Sequence, residues 1–251
     1  MHKYSPHIMI ALAYIFGGGS LIVFGVFCFA GPLHLIELDL SERDMLLFNA
    51  CLSLTFFLQH SGMVRKPFRS YLSGYAPEAY VSAIYAISSG IALLMVIVFW
   101  QETSGRIATE EWLWRFFLRS MFFASIVGFY WGVTALGFFD AFGVRAILRH
   151  LQGKNPREVP LSIQGPYRWV RHPLYLCVLI MIWSYPDLTY DRLLFNVLWT
   201  VWIFIGTLYE ERDMVTDFGE AYRQYQQKVP MLIPTRIFPA WPEHNDDRMI
   251  H

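Results

Sequence analysis

Charge and cysteine are both scarce in this sequence. Asp, Glu, Lys and Arg make up only 16% of its 251 residues, and the net charge is zero, whereas soluble domains contain roughly 25% of these residues. Without a block of positive charge, the sequence lacks the electrostatic surface that attracts nucleic acid. The three cysteines, Cys28, Cys51 and Cys177, lie in apolar runs without CxxC or Cys/His spacing. The pattern argues against nucleic-acid binding, a disulfide framework and a metal site.

Apolar residues are abundant instead. Hydrophobic residues account for 55% of the sequence and aromatic residues for 18%, and a bilayer core about 30 Å thick requires roughly 20 apolar residues per helix. Long apolar runs predict membrane spans over residues 8–30, 44–63, 79–100 and 116–139. The first run is too long for the apolar region of a signal peptide, so we expect it to remain in the protein as a span.

Two shorter apolar runs follow in the C-terminal half. Residues 174–185 would form a helix about 18 Å long, too short to cross a membrane unless the helix begins earlier or lies tilted in a thin region. Residues 186–191 have the composition of a turn, and residues 193–209 form a nearly complete span. We therefore predict an all-α, polytopic membrane helix bundle of about six spans, in which the last two form a short helical hairpin.

The distribution of basic residues predicts the orientation in the membrane. With six spans, 15 of the 20 Lys and Arg residues fall on the side of the two termini, and 5 fall on the other side. Basic residues collect on the cytoplasmic side of membrane proteins, so we expect cytoplasmic termini and a cytoplasmic loop over residues 140–172. We treat residues 1–140 as a four-span membrane region and residues 141–251 as a C-terminal region, within one structural unit.

The first segment whose residues could bind a ligand or take part in catalysis runs from Gly165 to Tyr175. Pro173 disfavours helical backbone at His172 and suits the first turn of a helix. Arg171 and His172 should therefore lie just before a helix N-terminus, where N–H groups and the helix dipole attract anions. The same two residues could instead be interfacial anchors that contact lipid headgroups.

The second segment is the pair Glu210 and Glu211, at the end of the sixth predicted span. Consecutive helical residues point about 100° apart, so one carboxylate can face the bundle while the other faces the loop. Carboxylates at a membrane border and near a helix C-terminus need positive partners. Arg171, other arginines of the loop, or a bound cationic ligand could supply that charge.

The third segment covers residues 218–229. Phe218, Tyr222, Tyr225 and Val229 form one apolar stripe at helical spacing, and the prolines that follow end the helix. This pattern predicts a C-terminal interfacial helix that lies on the membrane or across the loop. On its own it is typical of a docking helix rather than of a binding element.

In combination, these segments resemble a known family. The pattern Gly-Pro-Tyr-x-x-x-Arg-His-Pro-x-Tyr, then Glu-Glu, then Phe-Gly-x-x-Tyr-x-x-Tyr and Pro-x-x-x-Pro spans residues 160–235. It is similar to the integral-membrane methyltransferases related to isoprenylcysteine carboxyl methyltransferase. Gln59, His60 and Ser61, followed by Arg65 and Phe68, resemble the bacterial methanethiol S-methyltransferase branch, and the NnrU proteins are more distant relatives.

The resemblance implies methyl transfer from S-adenosylmethionine, by a multi-pass protein of the bacterial plasma membrane whose residues 141–251 bind the cofactor. Arg171 and the helix N-terminus suit the carboxylate of the cofactor, a glutamate suits its ammonium, and tyrosine rings can stabilise its sulfonium. The chain departs from the family at Cys177, where the family usually has glycine. The matched cofactor residues are Tyr167, Arg171, His172, Pro173, Tyr175, Glu210 and Glu211.

The implied substrate is a small thiol, with methanethiol converted to dimethyl sulfide. Gln59 and His60 would contact the thiol, Arg171 and Glu211 would have catalytic roles, and His60 is our candidate for the base that takes the thiol proton. His60 could equally be a hydrogen-bonded histidine at a helix end. The alternatives for the chain are O- or N-methylation of a prenylated cysteine carboxylate or a lipid, and a non-catalytic membrane scaffold.

Overall fold

Helices dominate the computed structural model, which describes residues 6–109, 111–137, 140–155, 160–236, 238–239 and 241. Helix α1 comprises Pro6–Leu12, a π-helical segment Ala13–Gly18, and Gly19–Ala30. It is followed by α2 (Glu42–Val64), α3 (Lys66–Ser73), α4 (Glu78–Phe99), α5 (Trp112–Ala135), α6 (Val144–Leu151), α7 (Pro173–Trp183) and α8 (Tyr190–Lys228). Strands β1 (Arg106–Thr109) and β2 (Asp187–Thr189) pair antiparallel, and a 3₁₀ turn covers Gly165–Arg168.

The predicted all-α membrane helix bundle is confirmed. Helices α1, α4, α5 and α8 are long and apolar enough to cross a membrane, and α7 is a shorter apolar helix. Helix α2 is 23 residues long but is not among these four. The predicted end of the fourth span, Phe139, and the basic residues Lys3, Arg157 and Arg248 lie outside the described residues.

Parts of the structure differ from the sequence prediction. Helices α3 and α6 lie in stretches predicted as loops, and β2 occupies the middle of the predicted turn at residues 186–191. Arg192, which we counted among the charges outside the membrane, is only 1% exposed. Its guanidinium donates to the carbonyls of Phe27 and Cys28 in the last turn of α1, and the Phe27 carbonyl also accepts from the Gly31 N–H.

The described helices group into two units. The first consists of Met1–Glu110, Asp140–Arg157 and Asp187–Trp199, and the second consists of Glu111–Phe139, Glu158–Pro186 and Thr200–His251. Both units are therefore assembled from segments that are distant in the sequence, and α8 contributes residues to each.

An aromatic stack and a buried carboxylate organise the first unit. The ring of Trp199 stacks on Phe195 and on Phe56, with centroid distances of 4.7 and 5.1 Å. The buried carboxylate of Asp191 accepts hydrogen bonds from Trp100 Nε1 at 2.9 Å and from the Thr103 hydroxyl at 2.9 Å. Since a buried carboxylate needs such donors, Asp191 fastens the segment after α4 to the start of α8.

Helices α5 and α7 pack closely in the second unit because small residues line their contact. A Cβ atom on Gly132 would lie 2.6 Å from Leu174 Cδ2, and one on Gly128 would lie 2.9 Å from Cys177 Sγ. Glycines four residues apart allow two membrane helices to approach closely. The side chain of Cys177, at the position where the resembling family has glycine, therefore finds its space at Gly128 on the facing helix.

Helix α7 and the later part of α8 form the predicted helical hairpin. Trp183 Nε1 donates to Thr200 Oγ1 at 2.9 Å, and Tyr175 Oη donates to Glu210 Oε2 at 2.7 Å. The contacts run in opposite order along the two helices, so the helices are antiparallel.

Helix α8 bends sharply at Gly219, where φ is 57° and ψ is −128°. Glu211 and Gln226 are 15 residues apart, which would be about 22 Å along a straight helix. Their side chains are nevertheless hydrogen-bonded at 2.5 Å, so the bend folds the end of α8 back onto Glu211. The predicted interfacial helix is this returning part, and its apolar stripe is buried: Tyr222, Tyr225 and Val229 pack with Leu161, Ile163 and Phe218.

Substitution of Gly219 by alanine tests the importance of the bend. A side chain strains the backbone in this region by about 1–3 kcal/mol, although a Cβ on Gly219 would meet no atom within 4 Å. We expect Gly219→Ala to lower the thermal unfolding midpoint of the detergent-purified protein. Gly206→Ala is the matched control, because Gly206 also has open space around it and lacks the positive φ. Its midpoint should stay level or rise, since alanine favours helix; equal midpoints would contradict the strain at Gly219.

Candidate active site

Tyr167, the first of the predicted cofactor residues, lies in the 3₁₀ turn that precedes α7. Gly165 opens the turn with φ 53°, and a Cβ there would lie 2.9 Å from Ala135 Cβ, so a side chain does not fit. The Tyr167 carbonyl accepts a hydrogen bond from Tyr225 Oη at 2.6 Å. Burial raises the pKa of the Tyr167 phenol, and the negative charge of Glu210 raises it further, so the hydroxyl stays protonated.

Helix α7 begins at Pro173, as the sequence predicts. The preceding backbone is held by the chain that follows α8: the Arg171 N–H donates to the Pro230 carbonyl at 2.9 Å, and the His172 N–H donates to the Met231 carbonyl at 3.1 Å. The first turn of α7 presents further N–H groups that have no partner within the helix. A helix start suited to an anion therefore lies next to Arg171 and His172.

Glu211 is the centre of the hydrogen-bond network in the second unit. The residue is 7% exposed, and its Oε1 lies 2.6 Å from His172 Nε2, 2.9 Å from Arg171 Nε and 2.8 Å from Tyr222 Oη. Its Oε2 accepts from Arg171 Nη2 at 2.8 Å and from Gln226 Nε2 at 2.5 Å. These donors favour the ionised carboxylate and use up both of its oxygens.

Arg171 is engaged almost entirely inside the protein. It forms a bidentate pair with Glu211, and its Nη1 donates to the carbonyls of Gln226 and Val229. The side chain is 9% exposed. Bidentate pairs of this kind combine strong charge-assisted bonds with a fixed orientation, so Arg171 connects the start of α7 to the returning end of α8.

Glu210 differs from its neighbour because its side chain is 43% exposed. Its described hydrogen bond comes from Tyr175 Oη, at 2.7 Å. The Tyr175 ring stacks on the His172 imidazole, with centroids 5.5 Å apart and planes 8° from parallel. The predicted division of the glutamates is therefore confirmed: Glu211 faces inward, and Glu210 presents a carboxylate beside an aromatic pair.

The C-terminal tail is fastened against the 3₁₀ turn. Arg168 Nε donates to the Trp241 carbonyl at 3.0 Å, and the Trp241 N–H donates to the Arg168 carbonyl at 3.3 Å. The Trp241 ring lies 5.8 Å from the Tyr225 ring and 4.6 Å from Lys228 Nζ. These contacts hold the tail against the residues that surround Glu211.

The two predicted thiol-site residues lie in the first unit, between α2 and α4. Tyr85 Oη is 2.8 Å from His60 Nε2, and the two rings are 5.2 Å apart. Gln59 Nε2 lies 3.4 Å from Ser89 Oγ. A small polar group therefore interrupts the apolar contact of these helices.

Several residues of the site were not expected from the sequence. The seven predicted cofactor residues, from Tyr167 to Glu211, all belong to the second unit, but Tyr222, Gln226 and Trp241 join them in the network and the tail contact. The sequence analysis placed Tyr222 in an apolar stripe and in the Phe-Gly-x-x-Tyr-x-x-Tyr motif, but it assigned no role in the site to its hydroxyl. Gln226 and Trp241 carry no local signal, because only the bend at Gly219 brings this region back.

Comparisons with known proteins identify the relatives of the chain. A methanethiol S-methyltransferase of Pseudomonas sp. is 36% identical over 196 residues, which is 76% of this chain and 74% of that protein. The methanethiol S-methyltransferase of Mycobacterium tuberculosis is 28% identical and covers 93% of this chain and 98% of its own length. Nurim of Rattus norvegicus is 26% identical over 77% of this chain and 76% of its own length.

No protein-family model and no solved structure matches the chain. The resemblance inferred from the motifs is confirmed by the curated relatives, whose similarity extends well beyond residues 160–235 into the N-terminal half. The chain therefore belongs to the methanethiol S-methyltransferase family of membrane proteins.

Proposed function

We propose that this chain transfers a methyl group from S-adenosylmethionine to a small thiol, and that it converts methanethiol to dimethyl sulfide. The observation that carries the proposal is the similarity to several proteins named methanethiol S-methyltransferase, over most of both chains. The donor set of the second unit supports it independently, because its chemistry matches the charged groups of the proposed cofactor.

The fit to S-adenosylmethionine follows from which groups remain accessible. The cofactor has an ammonium, a carboxylate and a sulfonium. Glu210 offers a half-exposed carboxylate for the ammonium, and the start of α7 offers N–H groups for the carboxylate. The rings of Tyr175 and Tyr167 can face a sulfonium, a contact worth about 0.5–2 kcal/mol.

The roles of the two glutamates differ in this proposal. Glu211 already accepts hydrogen bonds at both oxygens, so we assign Glu210 to the ammonium. We assign Arg171 and Glu211 to positioning: together they hold His172, the start of α7 and the returning end of α8 in one arrangement. This replaces the direct catalytic roles that the resemblance implied for Arg171 and Glu211.

When bound, S-adenosylmethionine supplies a methyl group on a positively charged sulfur, which a thiolate can accept in line. The protein must orient the two sulfur atoms, and such positioning can supply about 7–11 kcal/mol of the barrier. A thiol also has to lose its proton, since a thiol with a pKa of about 8.5 is mostly protonated at neutral pH.

We assign the deprotonation of the thiol to His60. An imidazole is the usual general base near neutral pH, and the hydrogen bond to Tyr85 fixes the orientation of the His60 ring. Gln59, next in sequence and close to Ser89, offers an amide that can contact the thiol.

The reaction is tested directly by headspace gas chromatography of purified protein with S-adenosylmethionine and methanethiol. We expect dimethyl sulfide in proportion to the enzyme added. If the protein methylates a prenylated cysteine or a lipid amine and forms no dimethyl sulfide, S-adenosylmethionine is still the methyl donor, but the proposed thiol acceptor is wrong. No product and no calorimetric binding of S-adenosylhomocysteine would favour a non-catalytic scaffold.

If the two glutamates have these different roles, substitution of Glu210 should affect ligand binding, whereas substitution of Glu211 should affect stability. Glu210→Gln should weaken calorimetric binding of S-adenosylhomocysteine roughly 10–100-fold, because a hydrogen bond between charged groups is worth about 1.5–3 kcal/mol, and should leave the unfolding midpoint nearly unchanged. Glu211→Gln should lower the midpoint strongly, since leaving Arg171 buried without its partner costs about 3–5 kcal/mol.

Glu220→Gln is the control for these two substitutions, because Glu220 lies on the same helix and is 66% exposed in a pair with Arg223. It should change neither quantity. The proposed roles would be contradicted if Glu210→Gln left ligand binding unchanged, or if Glu211→Gln weakened ligand binding without loss of stability.

The proposed base predicts a pH-dependent defect. His60→Ala should lower turnover at pH 7 roughly 100-fold, the usual size of a general-base contribution. The defect should shrink as the pH rises above 7, because a growing fraction of the thiol then ionises without help from a base. His34→Ala, at an exposed histidine paired with Glu102, is the control and should keep the original profile. Full turnover of His60→Ala at pH 7 would remove the base role.

A further inference from the structure

Helix α3 is held at the end of a membrane-spanning helix. It ends at Ser73, and α4, which is long and apolar enough to span a membrane, begins at Glu78. Arg69 Nη2 donates to Ser82 Oγ at 3.3 Å, which ties α3 to the first turns of α4. A helix in this place lies where the hydrocarbon core gives way to lipid headgroups.

An aromatic stripe on this segment points outward. Phe68, Tyr71 and Tyr75 are 37%, 62% and 74% exposed. Neighbouring rings contact each other, with centroids 6.3 Å apart for Phe68 and Tyr71 and 5.1 Å apart for Tyr71 and Tyr75. Amphipathic aromatic side chains of this type concentrate at the headgroup level of a bilayer.

Basic side chains accompany the stripe. Arg65, Lys66 and Arg69 belong to the start of α3 or precede it, and Lys66 and Arg69 are exposed. Helix α6 adds further positive charge beside the start of α4, since its His150 ring lies 6.1 Å from the Tyr80 ring. Arg145 and Arg149 lie on that helix.

The acidic residues of this part of the first unit are fewer. They are Glu78, in the first turn of α4, and Asp140, which accepts a hydrogen bond from the Ala146 N–H. Among the described residues named above, five arginines and lysines accompany two carboxylates, so this group of residues carries net positive charge.

We propose that α3 is a binding surface for anionic phospholipid headgroups of the surrounding bilayer. Guanidinium and ammonium groups bind phosphate by charge-assisted hydrogen bonds, and the exposed rings cover the adjoining glycerol and upper acyl region. Free phosphate would satisfy the charges but would leave the aromatic stripe in water, so the two features together favour a lipid. The proposal is independent of the methyl-transfer reaction.

The test uses the full-length protein in mild detergent, with phosphatidylglycerol or phosphatidylcholine of identical acyl chains added. Lipid binding is counted by native mass spectrometry, and the unfolding midpoint is measured in parallel. We expect wild-type protein to prefer phosphatidylglycerol and to be stabilised by it. Lys66→Gln/Arg69→Gln should lower that preference roughly 30-fold, since each basic residue near an anionic surface contributes about fivefold.

Two controls make the outcome decisive. Arg43→Gln/Arg106→Gln removes the same charge from outside α3 and should keep the preference. If the α3 variant folds poorly, the wild-type preference alone decides: about 1 M salt shortens the Debye length to about 3 Å and should abolish it. A preference retained by the α3 variant, a preference insensitive to salt, or equal stabilisation by inorganic phosphate would overturn the proposal.

Discussion

The need of one buried carboxylate for hydrogen-bond donors organises the second unit. Glu211 lies near the end of the apolar stretch of α8, where an unpaired charge is costly. Its donors come from the residues before α7, Arg171 and His172, and from the returning end of α8, Tyr222 and Gln226. The hairpin, the bend at Gly219 and the start of α7 must all be in place before the carboxylate is satisfied.

This arrangement explains why adjacent glutamates do different things. The helix turns about 100° between them, so the inward position is filled by Glu211 and its network, while Glu210 stays half-exposed next to Tyr175. In the proposed function, a ligand of Glu210 would also lie beside Tyr175, which is stacked on His172, and His172 is hydrogen-bonded to Glu211. Preorganisation of this kind reduces the ordering that binding requires.

In each of the two units, a buried carboxylate accepts hydrogen bonds from segments that are distant in the sequence. In the first unit Asp191 collects donors from Trp100 and Thr103, and in the second Glu211 collects them from four side chains. Both carboxylates lie on α8 and join segments far apart in the sequence, with separations of 88 residues for Thr103 and 40 for Arg171. Apolar packing against lipid selects partners only weakly, so these directional bonds give the bundle much of its specificity.

Much of this protein can be read from its sequence. Apolar runs longer than a bilayer is thick determine membrane helices, Pro173 determines where α7 starts, and the spacing from Phe218 to Val229 determines a buried stripe. Each of these depends on local geometry or on periodicity along one helix. The motif around Arg171 and the glutamate pair was also sufficient to indicate the family.

The partners of the polar residues could be decided only by the tertiary structure. The sequence left Arg171 open between a ligand, a lipid headgroup and a glutamate, and the structure pairs it with Glu211. It did not reveal that Gln226 and Trp241 return to the site, nor that Arg192 is buried against the end of α1. The physical reason is that a charged side chain can pair with any opposite charge or hydrogen-bond partner that lies close to it. Partners that are 15 to 165 residues apart in the sequence are brought together by one backbone bend and by helix packing, and no local sequence pattern encodes either of these.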